Sequence, residues 1–218
     1  LFLSGHNVNI VAYGQTGSGK THTIFGPPRI MSQASMGLMG EGTCDSYGLF
    51  PRGLIDIFQQ VQARKKNGEQ LSLTASAVEL SFQGNVDMMD HPAAQQARER
   101  ATGNQKKHLS KGIKSSADGG GHQTLRNSSH DKGVILDSAA DPPRLYGMTE
   151  HSLESAEDLF VVYAALATRN TASTGMNSNS SRTHCFTFLT LRSYDAVRDE
   201  VLTSRFQFVD LAGSERME

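Results

Sequence analysis

The residues best equipped for chemistry form one unbroken stretch, Gly14-Gln15-Thr16-Gly17-Ser18-Gly19-Lys20-Thr21. Its spacing is Gly, four residues, then Gly-Lys-Thr, the pattern of a loop that wraps a phosphate chain. Glycines let backbone N–H groups converge on phosphate oxygens with no Cβ in the way. Lys20 supplies a point charge to the β- and γ-phosphates, and the Thr21 hydroxyl is a ligand for Mg²⁺. Such a loop must leave a buried strand, and the apolar run Val8 to Tyr13 immediately upstream predicts one.

Two later stretches are weak alone and informative together. Asn177-Ser178-Asn179-Ser180-Ser181-Arg182-Thr183-His184 reads in isolation as serine-rich coil, and Asp210-Leu211-Ala212-Gly213-Ser214-Glu215 as a turn after Phe206-Gln207-Phe208-Val209. Phosphoryl transfer, however, needs a phosphate cradle, an acid for the metal shell and a loop that answers to the γ-phosphate. Asp210 at a strand tip suits the metal, and the Gly213 N–H can approach a γ-phosphate unobstructed. Ser180 and Ser181 offer oxygens for Mg²⁺ and an attacking water. Arg182 and Glu215 are expected to pair as a latch between the two loops.

The elements that must hold these groups follow from periodicity. Thr21–Phe25 predicts a short helix with its positive end toward the phosphates, ended by Gly26-Pro27-Pro28. Leu54, Ile57, Phe58 and Val61 share a face of a helix over 53–66, and 71–82 reads as a strand. Residues 155–169 predict a helix opened by Ser155 and Asp158, with Leu159, Val162, Tyr163 and Leu166 on its apolar side. Strands are expected at 134–136, 185–191 and 205–211. Interleaved strands and helices imply an α/β domain in three layers.

Residues 91–132 differ in kind. Eight Lys or Arg stand against three Asp or Glu, Gly119-Gly120-Gly121 lies in the middle, and branched aliphatics are almost absent. This composition predicts a basic, mostly disordered insertion whose first part, 93–101, has helical tendency. Its histidines lack a coordinating spacing.

With 21 Lys plus Arg against 22 Asp plus Glu, the net charge of −1 favours no class of partner, so attraction to an acidic surface would need a local patch. Cys44 and Cys185 make neither a metal-ligand spacing nor a disulfide framework. No apolar run approaches the ~20 residues of a membrane span.

The chain resembles the kinesin motor family. The resemblance rests on 12–23 (Ala-Tyr-Gly-Gln-Thr-Gly-Ser-Gly-Lys-Thr-His-Thr), on Gly48-Leu49-Phe50-Pro51-Arg52, on Met176-Asn177 with Ser180-Ser181-Arg182, and on Val209 to Glu215, in family order. It implies a P-loop NTPase fold around a central, mostly parallel sheet, and an ATPase that uses ATP and Mg²⁺ to move on microtubules. Gly14, Gln15, Thr16, Gly17, Ser18, Gly19, Lys20, Thr21 and His22 would then contact the nucleotide. Thr21, Ser181 and Asp210 would serve the metal. Ser180, Ser181, Arg182, Gly213 and Glu215 would act in catalysis, as the loops called switch I (177–184) and switch II (210–215). Microtubules are the implied partner, with neither nucleic acid nor membrane expected, and the cytoplasmic cytoskeleton the implied location. A catalytically weak, microtubule-binding kinesin-like protein is the alternative. Myosin is disfavoured by the Asp-Leu-Ala-Gly-Ser-Glu stretch, and a GTPase by the lack of Asn-Lys-x-Asp. Thr183 departs from the serine usual before the histidine, and Phe82-Gln83-Gly84 from the usual Tyr-Asn-Glu. Both ends read as cut, so 1–218 is expected to be a partial motor domain, poorly stable and without motility by itself.

Overall fold

The computed structural model describes residues 1–39, 42–82, 84–109, 134–137, 144–171 and 182–215. Its centre is a sheet in the order β1 (Val8–Ala12), β8 (Glu200–Asp210), β7 (His184–Asp195), β2 (Leu71–Ser81), β3 (Gly84–Asp87), with β6 (His151–Ser152) also paired to β2. Only β1 and β8 run parallel; the β8–β7, β7–β2, β2–β3 and β2–β6 pairs are antiparallel. The expectation of a mostly parallel sheet is therefore corrected for the described residues. The reason is local. Strands β7 and β8 are joined by a tight turn in which the Asp195 carboxylate accepts from the Val197 and Arg198 amides, and Asp199 takes a left-handed φ of 54°. A chain that turns back at once must pair antiparallel; parallel pairing needs a long crossover.

Five helices are described: α1 (Lys20–Ile24), α2 (Ile30–Ser35), α3 (Leu49–Lys66), α4 (Pro92–Leu109) and α5 (Ala156–Thr171). Helix α3 begins before the expected 53, because Pro51 falls in the first turn, where its missing N–H costs nothing, and Phe50 is buried beside it. At α5 the Asp158 carboxylate reaches back to accept from the Ser155 and Glu154 amides, half of a capping box. The insertion also differs from expectation at its start. Residues 92–109 are helical, and Ala94 and Ala101 are buried where α4 packs on α5. The rest of it, 110–132, lies outside the described residues. The expected strand near 134–136 is β4 (Ile135–Asp137), paired with β5 (Arg144–Tyr146) as a separate ribbon.

Packing on the two sheet faces is unequal. One core joins buried residues of all five helices to Leu73, Ala75, Ala77, Cys185, Leu189 and Phe208. Alternation along a strand sends Val78 and Phe188 to the other face, where they meet Val134, Leu145 and Met148 beside the β4–β5 ribbon. The third layer is thus a ribbon rather than helices among the described residues. No described helix is long and apolar enough to cross a membrane. The register that matters most is Ala12 opposite Asp210, because the segments leaving β1 and β8 start side by side.

Candidate functional site

From Ala12 the chain runs into the glycine-rich loop, where Gly17 and Gly19 take φ of 79° and 89°. A Cβ at either position would meet no neighbour, so backbone conformation rather than crowding demands glycine there. The Lys20 ammonium folds over the loop and donates to the Gly14 and Gln15 carbonyls, each at 2.8 Å. These are replaceable partners, because both carbonyls belong to the loop the lysine itself closes. Thr16, Gly19, Lys20 and Thr21 line a cleft of about 390 Å³, with Leu166 and Arg169 of α5 on its far wall.

Beneath the cleft, the Thr21 hydroxyl donates to Asp210 Oδ2 at 2.6 Å. Asp210 is fully buried, and the same Oδ2 accepts from Arg169 Nη1. Asp210 Oδ1 is buried with no hydrogen-bond partner among the described residues. Arg169 Nε lies 3.6 Å from Glu79 Oε1, which also accepts from the Thr183 hydroxyl. A chain of polar contacts therefore joins α1, β8, α5, β2 and the residue preceding β7. Such a group is costly to strip of any one member. Sequence reading missed Arg169 and Glu79. A charged residue inside Ala77-Val78-Glu79-Leu80 was the available signal, since a partly buried carboxylate in an apolar strand favours a partner; nothing local marks Arg169.

The sequence profile of the kinesin motor domain matches residues 1–218. The chain belongs to the kinesin motor domain family. It is 33% identical over 215 residues to a kinesin-like protein of Oryza sativa subsp. japonica, KIN-14B, a match covering 99% of this chain and 20% of the relative. It is 31% identical over 226 residues to KIN-4C of Arabidopsis thaliana, covering 98% and 15%. The solved structure of a fast kinesin superposes with a TM-score of 0.64 at 20% identity, over 99% of this chain and 47% of that one. The C-terminal motor domain of Kar3 from Candida glabrata superposes at 0.59 with 22% identity, over 99% and 50%. These likenesses establish the kinesin P-loop fold. The chain spans about a fifth of the length of KIN-14B and about half of each solved motor.

In this kinesin-family chain the segment after β8 is bound through backbone once to the end of β1 and once to the phosphate loop. Leu211 N donates to Ala12 O at 3.3 Å and Ser214 N to Gly14 O at 3.1 Å. Side chains add a third tie: the Glu215 carboxylate accepts from the Thr16 amide at 2.8 Å and from the Thr16 hydroxyl. The hydroxyl first, and the amide after it, hold the Glu215 carboxyl below the usual carboxylate range. Gly213 is packed so closely against Glu215 and Thr16 Oγ1 that an added Cβ would collide with both. Glycine here is demanded by proximity, the opposite case to Gly17. On the other loop, the Ala212 amide donates to His184 Nδ1 at 3.1 Å.

The expected pairing of Arg182 with Glu215 is not formed. Arg182 is exposed and Glu215 is engaged with Thr16. The reason is proximity: Ser214 bonded to Gly14 sets Glu215 beside Thr16. Gly14 to His22, Asp210, Gly213 and Glu215 are thus brought to one end of the sheet, whereas Ser180 and Ser181 lie outside the described residues.

Thr21 and Asp210 suit Mg²⁺. It keeps several waters and takes one or two protein oxygens, and the partnerless Oδ1 offers an acceptor for such a water. Among the described residues, no group of three or more His, Cys, Asp and Glu could hold a metal.

Proposed function

We propose that the full-length protein is an ATP-hydrolysing motor that moves on microtubules and works within the cytoskeleton. The observation that carries this reading is the Thr21 hydroxyl seated on buried Asp210 at the mouth of a glycine-rich loop, in a chain of the kinesin motor domain family. Among the described residues Lys20 is held only by carbonyls of its own loop, so its ammonium can turn to a phosphate chain at small cost. Thr21 and Asp210 would hold Mg²⁺, which when bound neutralises charge on the phosphate oxygens. Gly213 brings a backbone N–H to where a γ-phosphate would lie. The pair Glu215 and Thr16 ties that glycine to the loop, so loss of phosphate would be felt along the 210–215 segment. Positioning and charge stabilisation would supply most of the rate.

Microtubule-stimulated ATP turnover by the full-length protein tests the proposal. Lys20→Ala is expected to abolish turnover, and Glu215→Ala to reduce it at least ten-fold. Turnover indifferent to both would overturn the reading. Tight microtubule binding without stimulated turnover in the unmodified protein would favour the catalytically weak alternative.

A further inference from the structure

Past Asp210 strand β8 loses its neighbour on one side. The β7–β8 ladder ends where Cys185 faces Asp210. In an extended chain successive N–H groups point to opposite edges. The Leu211 amide turns to β1 and donates to Ala12 O at 3.3 Å, so the Ala212 amide turns to the β7 side. Continued register would set Ala212 opposite Thr183, but Thr183 O accepts from Arg169 Nη2 at 3.5 Å. A side chain takes the place of that carbonyl: His184 Nδ1 accepts from the Ala212 amide at 3.1 Å. An N–H can donate to Nδ1 only when that nitrogen carries no proton, so the ring serves here as an acceptor. His184 is held in place itself, as the first residue of a central strand and paired with Leu80 of β2.

The amides of Leu211, Ala212 and Ser214 thus have acceptors in Ala12 O, His184 Nδ1 and Gly14 O. The amide between them, that of Gly213, donates to nothing among the described residues. Peptide units are planar, so a residue fixed on both sides has little freedom left, and its neighbours aim the Gly213 N–H. Two of those ties come from the β1 side, and His184 is the one from β7 among the described residues. We propose that His184 is a positioning residue that acts through the Ala212 amide to aim the Gly213 N–H at a γ-phosphate, and so sets the preference of the site for a nucleoside triphosphate over a diphosphate. The inference rests on the nucleotide-site reading above. Within 177–184 the expected chemistry falls on Ser180, Ser181 and Arg182, whereas His184 acts only through backbone.

The test compares, in the full-length protein, the affinities for a fluorescent non-hydrolysable ATP analogue and for the matching ADP analogue. His184→Ala removes the acceptor. It is expected to weaken the ATP analogue about five-fold or more, the worth of one neutral hydrogen bond, and to leave ADP within about two-fold. His184→Asn sets an amide oxygen near the place of Nδ1 and is expected to bind both within about two-fold of the unmodified protein. His184→Gln carries its oxygen one bond further out and is expected to follow His184→Ala. Equal weakening of the two analogues in His184→Ala would make the histidine a scaffold residue and overturns the inference. So does unchanged binding of both, or a His184→Asn variant as impaired as His184→Ala. Should His184→Ala not fold, the other two decide: His184→Asn and His184→Gln behaving alike refutes the role of the acceptor. If the unmodified protein binds neither analogue, the nucleotide-site reading itself is wrong and the inference falls with it.

Discussion

Two carboxylates of one short segment reach the phosphate loop in opposite ways. Asp210 is fully buried, bonded to Thr21 and to a guanidinium that is itself buried. Glu215, five residues on, is exposed and bonded only to Thr16 among the described residues. The difference lies in solvent. A buried ion pair cannot lose one partner without leaving a bare charge in a poor dielectric. An exposed carboxylate trades its partners for water at little cost. One end of the segment is therefore a fixed anchor and the other a contact that can be exchanged, which suits a loop expected to move while its root stays still.

The largest test of that contrast is Arg169→Ala. It strands Asp210 and is expected to lower unfolding free energy by about 3–5 kcal/mol, read from urea denaturation. A loss below about 1 kcal/mol would erase the distinction between anchor and exchangeable contact. Lys20→Ala comes next. Because Lys20 holds only carbonyls of its own loop among the described residues, nucleotide affinity should fall about ten- to a hundred-fold, with the denaturation midpoint almost unmoved. A large drop in stability instead would make Lys20 part of the scaffold.

Acid titration gives a smaller, signed effect. Burial opposes ionisation of Asp158, but the His151 ring nitrogen 3.1 Å away, with hydrogen bonds from Ser155 and the Glu154 amide, outweighs it and holds the carboxyl below its ordinary value. A depressed folded-state pKa contributes stability that is present above the unfolded value of about 4 and is lost as pH falls through the folded one. Asp158→Asn should flatten that part of the stability curve below about pH 4 and cost about 1 kcal/mol at neutral pH, as losing a helix cap does. If the acid slope is identical in the two proteins, the capping contact is not what depresses Asp158. The smallest effect is expected for Glu215→Gln, within about 0.5 kcal/mol of the unmodified protein. Faster hydrogen exchange at the Thr16 amide should be its clearest signature. Unchanged exchange there would mean the tie is not formed in solution.

Legibility in sequence followed the range of the interactions. The loop of 14–21 and its strand were readable because each glycine and the lysine answer to neighbours a few residues away. Helices α3 and α5 were readable from the spacing of Leu54, Ile57, Phe58 and Val61, and of Leu159, Val162, Tyr163 and Leu166. Helix α4 was only half legible. Its stretch is polar with few branched residues, and what covers Ala94 and Ala101 is α5, which lies far along the chain. The partner of Glu215 was misread for a similar reason. Charge alone nominates Arg182, but the Ser214–Gly14 backbone bond brings Thr16 closer.

By itself the sequence determined the residues on offer: a glycine-rich loop of the phosphate-binding pattern, an acid at a strand tip, a glycine beyond it, and through them membership of the kinesin motor domain family. Those features are local, set by residue type and by conformations that only glycine adopts freely. Tertiary structure alone decided which charges meet. Arg169, Glu79 and Asp210 are 41 to 131 residues apart in the chain and adjoin because strand register aligns 79, 185 and 210 while α5 lays its end across them. Coulomb attraction has no sequence signature, so which partner a carboxylate takes becomes definite only when the fold has removed the water between them.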